Sequence, residues 1–284
     1  MQESNIPFFP TSFTSPNNST NNSTNNSTSD STTTTSKTTA RRNSINGKPR
    51  WNFIKFGLVL FGLTTGFYTN TGLAGDYIQH PEFVSLLNEL EAQHNYNRFE
   101  VIKLFADVER KDSILKAIAR PAEKTMTWGR YRDIFLTASN IKNGIKFWDK
   151  HEKTLARASK EFGIPSEIMV AIIGVETRYG SNRGSYRVID ALSTLAFDYP
   201  PRASFFRKEL IEFLKLKEIA GIDTATAKGS YAGAMGYPQF IPSSYHHYAV
   251  DYDKDSKTDL IENPVDAIGS VGNYFKVHGW QTGQ

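Results

Sequence analysis

Helical spacing dominates the chain from Pro81 onward. Phe83, Leu86, Leu87 and Leu90 recur every three or four residues, behind a proline suited to a first helical turn. Asn97 predicts the cap of a second helix carrying Val101, Leu104 and Phe105. A third is predicted over 112–119, stopping at Pro121. Further helices are predicted over 127–136, over 141–162 with Gly163 behind it, over 201–219 and over 264–277. No strand-like alternation lies between them. The fold class expected is all-α, one body of about 200 residues with a helical N-terminal lobe up to Leu136.

The segment 164–180, IPSEIMVAIIGVETRYG, departs from a plain amphipathic pattern. On a helix, Met169, Ile172 and Ile173 share a face with Glu176. A carboxyl on an apolar face is costly to ionise, so its pKa is expected to rise. Such a group suits general acid chemistry, although a carboxylate paired with a buried arginine or capping a neighbouring helix fits the pattern as well.

The N-terminal quarter reads differently. Residues 11–40 are almost entirely Ser, Thr and Asn, with NNST repeated three times, so 1–40 is expected to be a disordered tail. Its Asn-x-Ser/Thr patterns arise from composition alone. Arg41, Arg42, Lys48, Arg50 and Lys55 then precede a stretch, 56–75, without a charged side chain. Its apolar centre is FGLVLFGLTTGFY, followed by small residues. Basic, apolar, small is the order of an export signal, so 41–75 is expected to be a cleaved signal peptide or a retained signal-anchor. Either places 76–284 outside the cytoplasm. The chain has no cysteine, which excludes disulfides and an N-terminal lipid-modified cysteine. The net charge of +4 comes partly from the region before residue 56, and no basic stripe follows, so nucleic acid is not an expected partner.

Two further segments carry candidate chemistry. Residues 228–245, KGSYAGAMGYPQFIPSSY, combine small residues that allow close backbone approach with Ser230, Gln239 and several aromatic rings. That mixture suits sugars, whose hydroxyls need polar partners and whose C–H faces pack on rings. A Gly-rich connection between helices is the plainer reading. Residues 251–262, DYDKDSKTDLIE, put Asp251, Asp253 and Asp255 at positions 1, 3 and 5 of a calcium loop. The Lys257 carbonyl falls at position 7, Asp259 at 9 and Glu262 at 12. Ser256 stands at position 6, where glycine makes the sharp turn, and Thr258 at position 8. A solvated acidic turn is the alternative, but three alternating carboxylates repel one another without a cation.

Together GVETRYG, the Gly-rich segment, the Asp-rich loop and NPVDAIGSVGNYFKVHGW at 263–280 resemble the lytic murein transglycosylase B family, in the family's order and over roughly 76–280. The resemblance implies a lysozyme-like α-helical catalytic core. It also implies cleavage of peptidoglycan between N-acetylmuramic acid and N-acetylglucosamine, leaving a 1,6-anhydro end. Glu176 is then the acid and later the base, with the substrate's acetamido group stabilising the oxocarbenium-like centre. Ser230 and Gln239 match positions that contact acetamido groups, and Tyr131 and Tyr274 match aromatic cleft positions. Arg202 is a further candidate for the cleft. The plainer readings are core aromatics for the tyrosines, a surface charge for Arg202, and caps for Asp190 and Asp198. The family's calcium loop is closed by the Asp of the helix entry, here Asp266, which competes with Glu262. The metal set expected is Asp251, Asp253, Asp255, Lys257 and Asp266, holding a structural Ca2+, with no organic cofactor. Family members continue well past HGW, so the 76–284 domain is expected to be C-terminally incomplete. The other expectations are a monomeric periplasmic enzyme, exported or anchored through 56–75, acting on glycan strands. A murein-binding remnant and a lysozyme-type hydrolase are the alternatives.

Overall fold

The computed structural model describes residues 75–119 and 126–283. The expectations for the tail, the basic segment and the export signal up to residue 74 lie outside the described residues. Among the described residues ten α-helices follow one another, with one short two-stranded ladder. They belong to one compact unit.

Helices α1 (Pro81–His94), α2 (Arg98–Phe105) and α3 (Asp112–Ile118) come first. The Asn97 side chain caps α2 by accepting from the amides of Phe99 and Glu100 at 2.9 and 3.3 Å, as its position predicted. Their apolar faces meet α7 (Val188–Asp198) and α8 (Ala203–Ala220) in one core that includes Phe83, Phe105, Leu192, Leu195, Phe206 and Phe213. A second core joins α5 (Ala138–Phe162), α6 (Ser166–Thr177) and α10 (Pro264–Val277) through Phe147, Leu155, Met169, Ile173, Ile268 and Val271. Helix α5 is kinked at His151, and Gly163 in the left-handed region ends it. Helix α4 (Trp128–Phe135) precedes it, and α9 (Pro242–Tyr248) packs on α8.

Two helices and a ladder depart from the expected pattern. Helix α7 is buried on all sides over Val188–Phe197, so its sequence shows no apolar stripe. Helix α9 is seven residues long, and its N-terminal turn is held by Glu209 of α8, whose carboxylate accepts from the Ser243 amide and hydroxyl at 2.9 and 2.7 Å. Strands β1 (Tyr186–Arg187) and β2 (Lys228–Gly229) pair antiparallel with Tyr186 opposite Gly229. Two residues per strand are too few to alternate. Among the described residues no helix is long and apolar enough to cross a membrane.

Candidate active site

Glu176 lies in the last turn of α6 and is 8% exposed. Met169 and Ile173, on its face, are fully buried, and Ile172 is half-buried. The helix ends sooner than the 164–180 pattern implied. Arg178, Tyr179 and Gly180 take φ of 50°, 62° and 84°, three left-handed residues in succession that turn the chain away. The turn is set by the Tyr179 ring. A Cβ on Gly174 of α6, or on Gly144 of α5, would come within 2.5 Å of the Tyr179 hydroxyl oxygen. The phenol therefore occupies a slot that only two glycines leave open.

Beyond the turn, 177–187 runs alongside 228–240. Thr177 lies within hydrogen-bonding distance of the Tyr237 carbonyl at 3.0 Å. The Gln239 amide nitrogen donates to the carbonyls of Gly236 at 2.9 Å and Arg183 at 3.3 Å. Gly184 touches the Gly229 backbone, and the β1–β2 ladder closes the run. The Arg183 guanidinium faces the Tyr237 ring at 5.3 Å and donates to the Ile261 carbonyl. In this way the helix end that carries Glu176 is joined to the segment that carries Ser230 and Gln239.

Both polar residues are buried, at 2% and 3% exposure. The Ser230 hydroxyl oxygen accepts from the amides of Ala232 and Ala234 at 3.3 and 3.1 Å, which leaves its proton for an outside acceptor. Gln239 spends its two amide hydrogens on backbone carbonyls, which leaves Oε1 as its accepting atom. Gln239 itself sits at φ 51°, a left-handed position.

The aromatic candidates are spread along the chain. Tyr131 on α4 is 8% exposed and lies edge-on to Phe135, with ring centres 5.2 Å apart. Tyr274 on α10 stacks on His278 at 4.0 Å and tilts against Phe240 at 5.6 Å. Burial, with Tyr248 nearby, pushes its phenol above the usual range. Arg202 stands at a 3-10 turn (Pro200–Arg202) with its guanidinium over the rings of Phe205 and Phe206, at 4.1 and 5.2 Å. The two aspartates read as caps, Asp190 and Asp198, are both engaged. Asp190 accepts from the Glu109 amide at 3.1 Å, and burial raises its pKa. Asp198 accepts from the Tyr77 hydroxyl at 2.5 Å and pairs with Arg110.

In the acidic loop, Asp251, Asp253 and Asp255 each offer an oxygen, and these lie within 4.8 Å of one another. Ser256 takes φ 74°, so the sharp turn normally made by glycine is made here by serine. The loop amides bind inward: Asp255 and Ser256 donate to Asp251, and Lys257 donates to Asp255. Asp266, fully buried in the first turn of α10, accepts from the amides of Tyr252, Asp253 and Asp259 at 2.7, 3.4 and 2.8 Å. Both of its oxygens are thus engaged with the loop backbone, and burial still raises its pKa. Glu262 points elsewhere, to Arg183 at 3.0 Å. The donor set of three aspartates on a tight turn fits a hard cation with oxygen ligands.

Residues 79–284 match the family model of the transglycosylase SLT domain. The chain belongs to this family. Its SLT domain resembles the membrane-bound lytic murein transglycosylase B of Escherichia coli, with 43% identity over 220 residues. That match covers 74% of this chain and 61% of the relative, so the chain spans about three fifths of the curated protein. The crystal structure of the soluble lytic transglycosylase SltB1 from Pseudomonas aeruginosa superposes with a TM-score of 0.69 at 54% identity, covering 72% of this chain and 69% of that one. Escherichia coli Slt35 in complex with calcium gives a TM-score of 0.69 at 41% identity, covering 77% and 69%. The all-α, lysozyme-like expectation for the SLT domain is met. Sequence reading did not find Thr177, Tyr179 or Arg183, which join the acid's helix to the polar segment. The paired glycines at 144 and 174 were the available signal, thirty residues apart.

Proposed function

We propose that the SLT domain is a peptidoglycan lytic transglycosylase in which Glu176 acts as acid and then base. The observation that carries this reading is a buried carboxyl at a helix end, tied through Thr177 and Gln239 to a segment presenting one hydroxyl donor and one amide acceptor. An acetamido group has a C=O and an N–H, and the Ser230 hydroxyl and Gln239 Oε1 complement the two. The E. coli and Pseudomonas relatives named above are lytic transglycosylases, and SltB3 from Pseudomonas aeruginosa has been crystallised with a NAG-NAM-pentapeptide, at 27% identity.

The Glu176 carboxyl gives its proton to the glycosidic oxygen as the bond to C1 of N-acetylmuramic acid breaks, releasing the N-acetylglucosamine hydroxyl. The muramic acetamido oxygen supports the positive charge at C1. The Glu176 carboxylate then takes the proton of the C6 hydroxyl, whose oxygen bonds to C1. No water is consumed, and the proton returns to Glu176. Tyr131, Tyr274 and Arg202 are read as cleft residues that pack on or hydrogen-bond to the glycan.

A calcium ion on Asp251, Asp253, Asp255 and the Lys257 carbonyl would hold the 251–262 loop against α10. Asp266, its oxygens given to three loop amides, acts on that site chiefly by bracing the loop. Calcium supplies structure rather than chemistry. Export through 56–75, as a cleaved signal or as a retained anchor, a periplasmic location and a monomeric state complete the reading.

The test is mass spectrometry of purified sacculi digested by the full chain. Anhydro-muramic ends that disappear with Glu176→Gln support the proposal. Reducing ends, or binding without products, overturn it.

A further inference from the structure

We infer that Thr177 is a positioning residue for Glu176, a reading that rests on the proposed role of Glu176. Thr177 adjoins the acid in sequence and is 1% exposed. Its hydroxyl oxygen meets three backbone groups: the Ile173 carbonyl at 3.2 Å, the Tyr237 carbonyl at 3.0 Å and the Gly180 amide at 3.0 Å. The first belongs to the helix that carries Glu176. The second belongs to the Gly-rich segment that carries Ser230 and Gln239. The third belongs to the left-handed turn that leads the chain from one to the other. The Thr177 carbonyl also accepts from the Asn182 amide at 2.9 Å, beyond that turn.

A hydroxyl has one proton to donate, and the amide fills the accepting side. The proton is shared between the two carbonyls, or committed to the nearer one. Either way, a single buried atom links the last turn of α6 directly to the polar segment, beside the ties further along 180–187. The helix end is also held by the Tyr179 ring between Gly144 and Gly174 and by the Asn182 amide. Arg178 and Tyr179 are non-glycine residues in left-handed conformations, which cost energy unless the surroundings impose them. A serine or threonine hydroxyl bonded to the residue four before it is common in helices. The cross-bond to Tyr237 is the feature that goes beyond that habit. A reacting pair displaced by about 1 Å loses about a hundredfold in rate. Loosening one of several constraints at Glu176 should cost a part of that.

The experiment compares wild type, Thr177→Val, Thr177→Ser and Glu176→Gln on purified sacculi. Initial rates of anhydro-muropeptide release are measured over a range of substrate, with melting curves recorded alongside. Thr177→Val should lower kcat about tenfold and leave KM within about twofold, while Thr177→Ser restores kcat. If Thr177→Val melts below the assay temperature, Thr177→Ala is read in its place against the same serine rescue. A folded valine or alanine variant with wild-type kcat overturns the inference, as does a loss confined to KM or one that serine does not restore. Wild type that releases no anhydro ends overturns instead the reading of Glu176 as the acid.

Discussion

Glu176 sits on a helix gripped by Met169, Ile173 and Phe147, whereas Ser230, Gln239 and the aspartates of 251–259 sit on segments gripped by hydrogen bonds. The helix is held by burial, which is non-directional and tolerates small shifts. The loops are held by donors and acceptors in fixed geometry, and leaving one of those unmade in a buried place is expensive. A carboxyl that must change its protonation state is seated here in a largely apolar helix face. Groups that recognise a rigid acetamido unit benefit from the opposite, a frame that leaves one atom of each side chain unspent. The contact between Thr177 and Tyr237 is where the two kinds of support meet.

The sharpest break in that contrast is Glu176→Gln. It should reduce the release of anhydro ends by about 100- to 10,000-fold, the range for loss of a general acid, with the melting temperature unchanged or higher. The apolar grip itself is tested by Ile173→Ala, expected to destabilise by about 2–5 kcal/mol in chemical denaturation, since a fully buried side chain leaves a cavity. On the polar side, Asp266→Ala strips three loop amides of their acceptor and should cost about 3 kcal/mol, measured the same way. If the loop variant proves harmless, the comparison is wrong about what holds the loop.

Smaller effects sharpen it further. Removing calcium with a chelator should lower the melting temperature, by about 2.7 kcal/mol of stability if the ion was present at a hundredfold over its Kd, and Asp266→Ala should abolish that difference. No shift in wild type would count against an occupied loop. The smallest effect concerns Glu209, whose carboxyl is raised by burial, only partly offset by the two Ser243 bonds. With its folded pKa above the unfolded one, its favourable contribution is full below the unfolded pKa. That contribution is lost as pH rises through the folded value. The melting temperature of wild type relative to Glu209→Gln should therefore fall as pH rises from the ordinary carboxylate range toward neutrality.

Where burial does the holding on one face of a helix, the fold was legible in the chain. The spacing of Phe83 to Leu90, the Asn97 cap and the Gly163 stop all lie where the pattern put them. Legibility failed in two physical situations. Helix α7 is buried on every side, so apolar residues surround its axis and no period survives. Helix α9 and the β1–β2 ladder are too short to show a period and depend on partners far away in sequence, such as Glu209. Among the candidate site residues, composition pointed to the acid, the serine, the glutamine and the aspartates. What joins them was hidden, because Thr177 and Arg183 act through backbone carbonyls whose location no sequence pattern carries.

The slot that takes the Tyr179 phenol has an evolutionary corollary. Two glycines on different helices, Gly144 and Gly174, are emptied for one ring. None of the three positions can change alone without a clash or a void. Across the family, positions 144, 174 and 179 should therefore covary as a set: where Gly174 becomes alanine, the residue at 179 should be smaller than an aromatic ring, since the ring carbons as well as the hydroxyl lie within 3 Å of that Cβ.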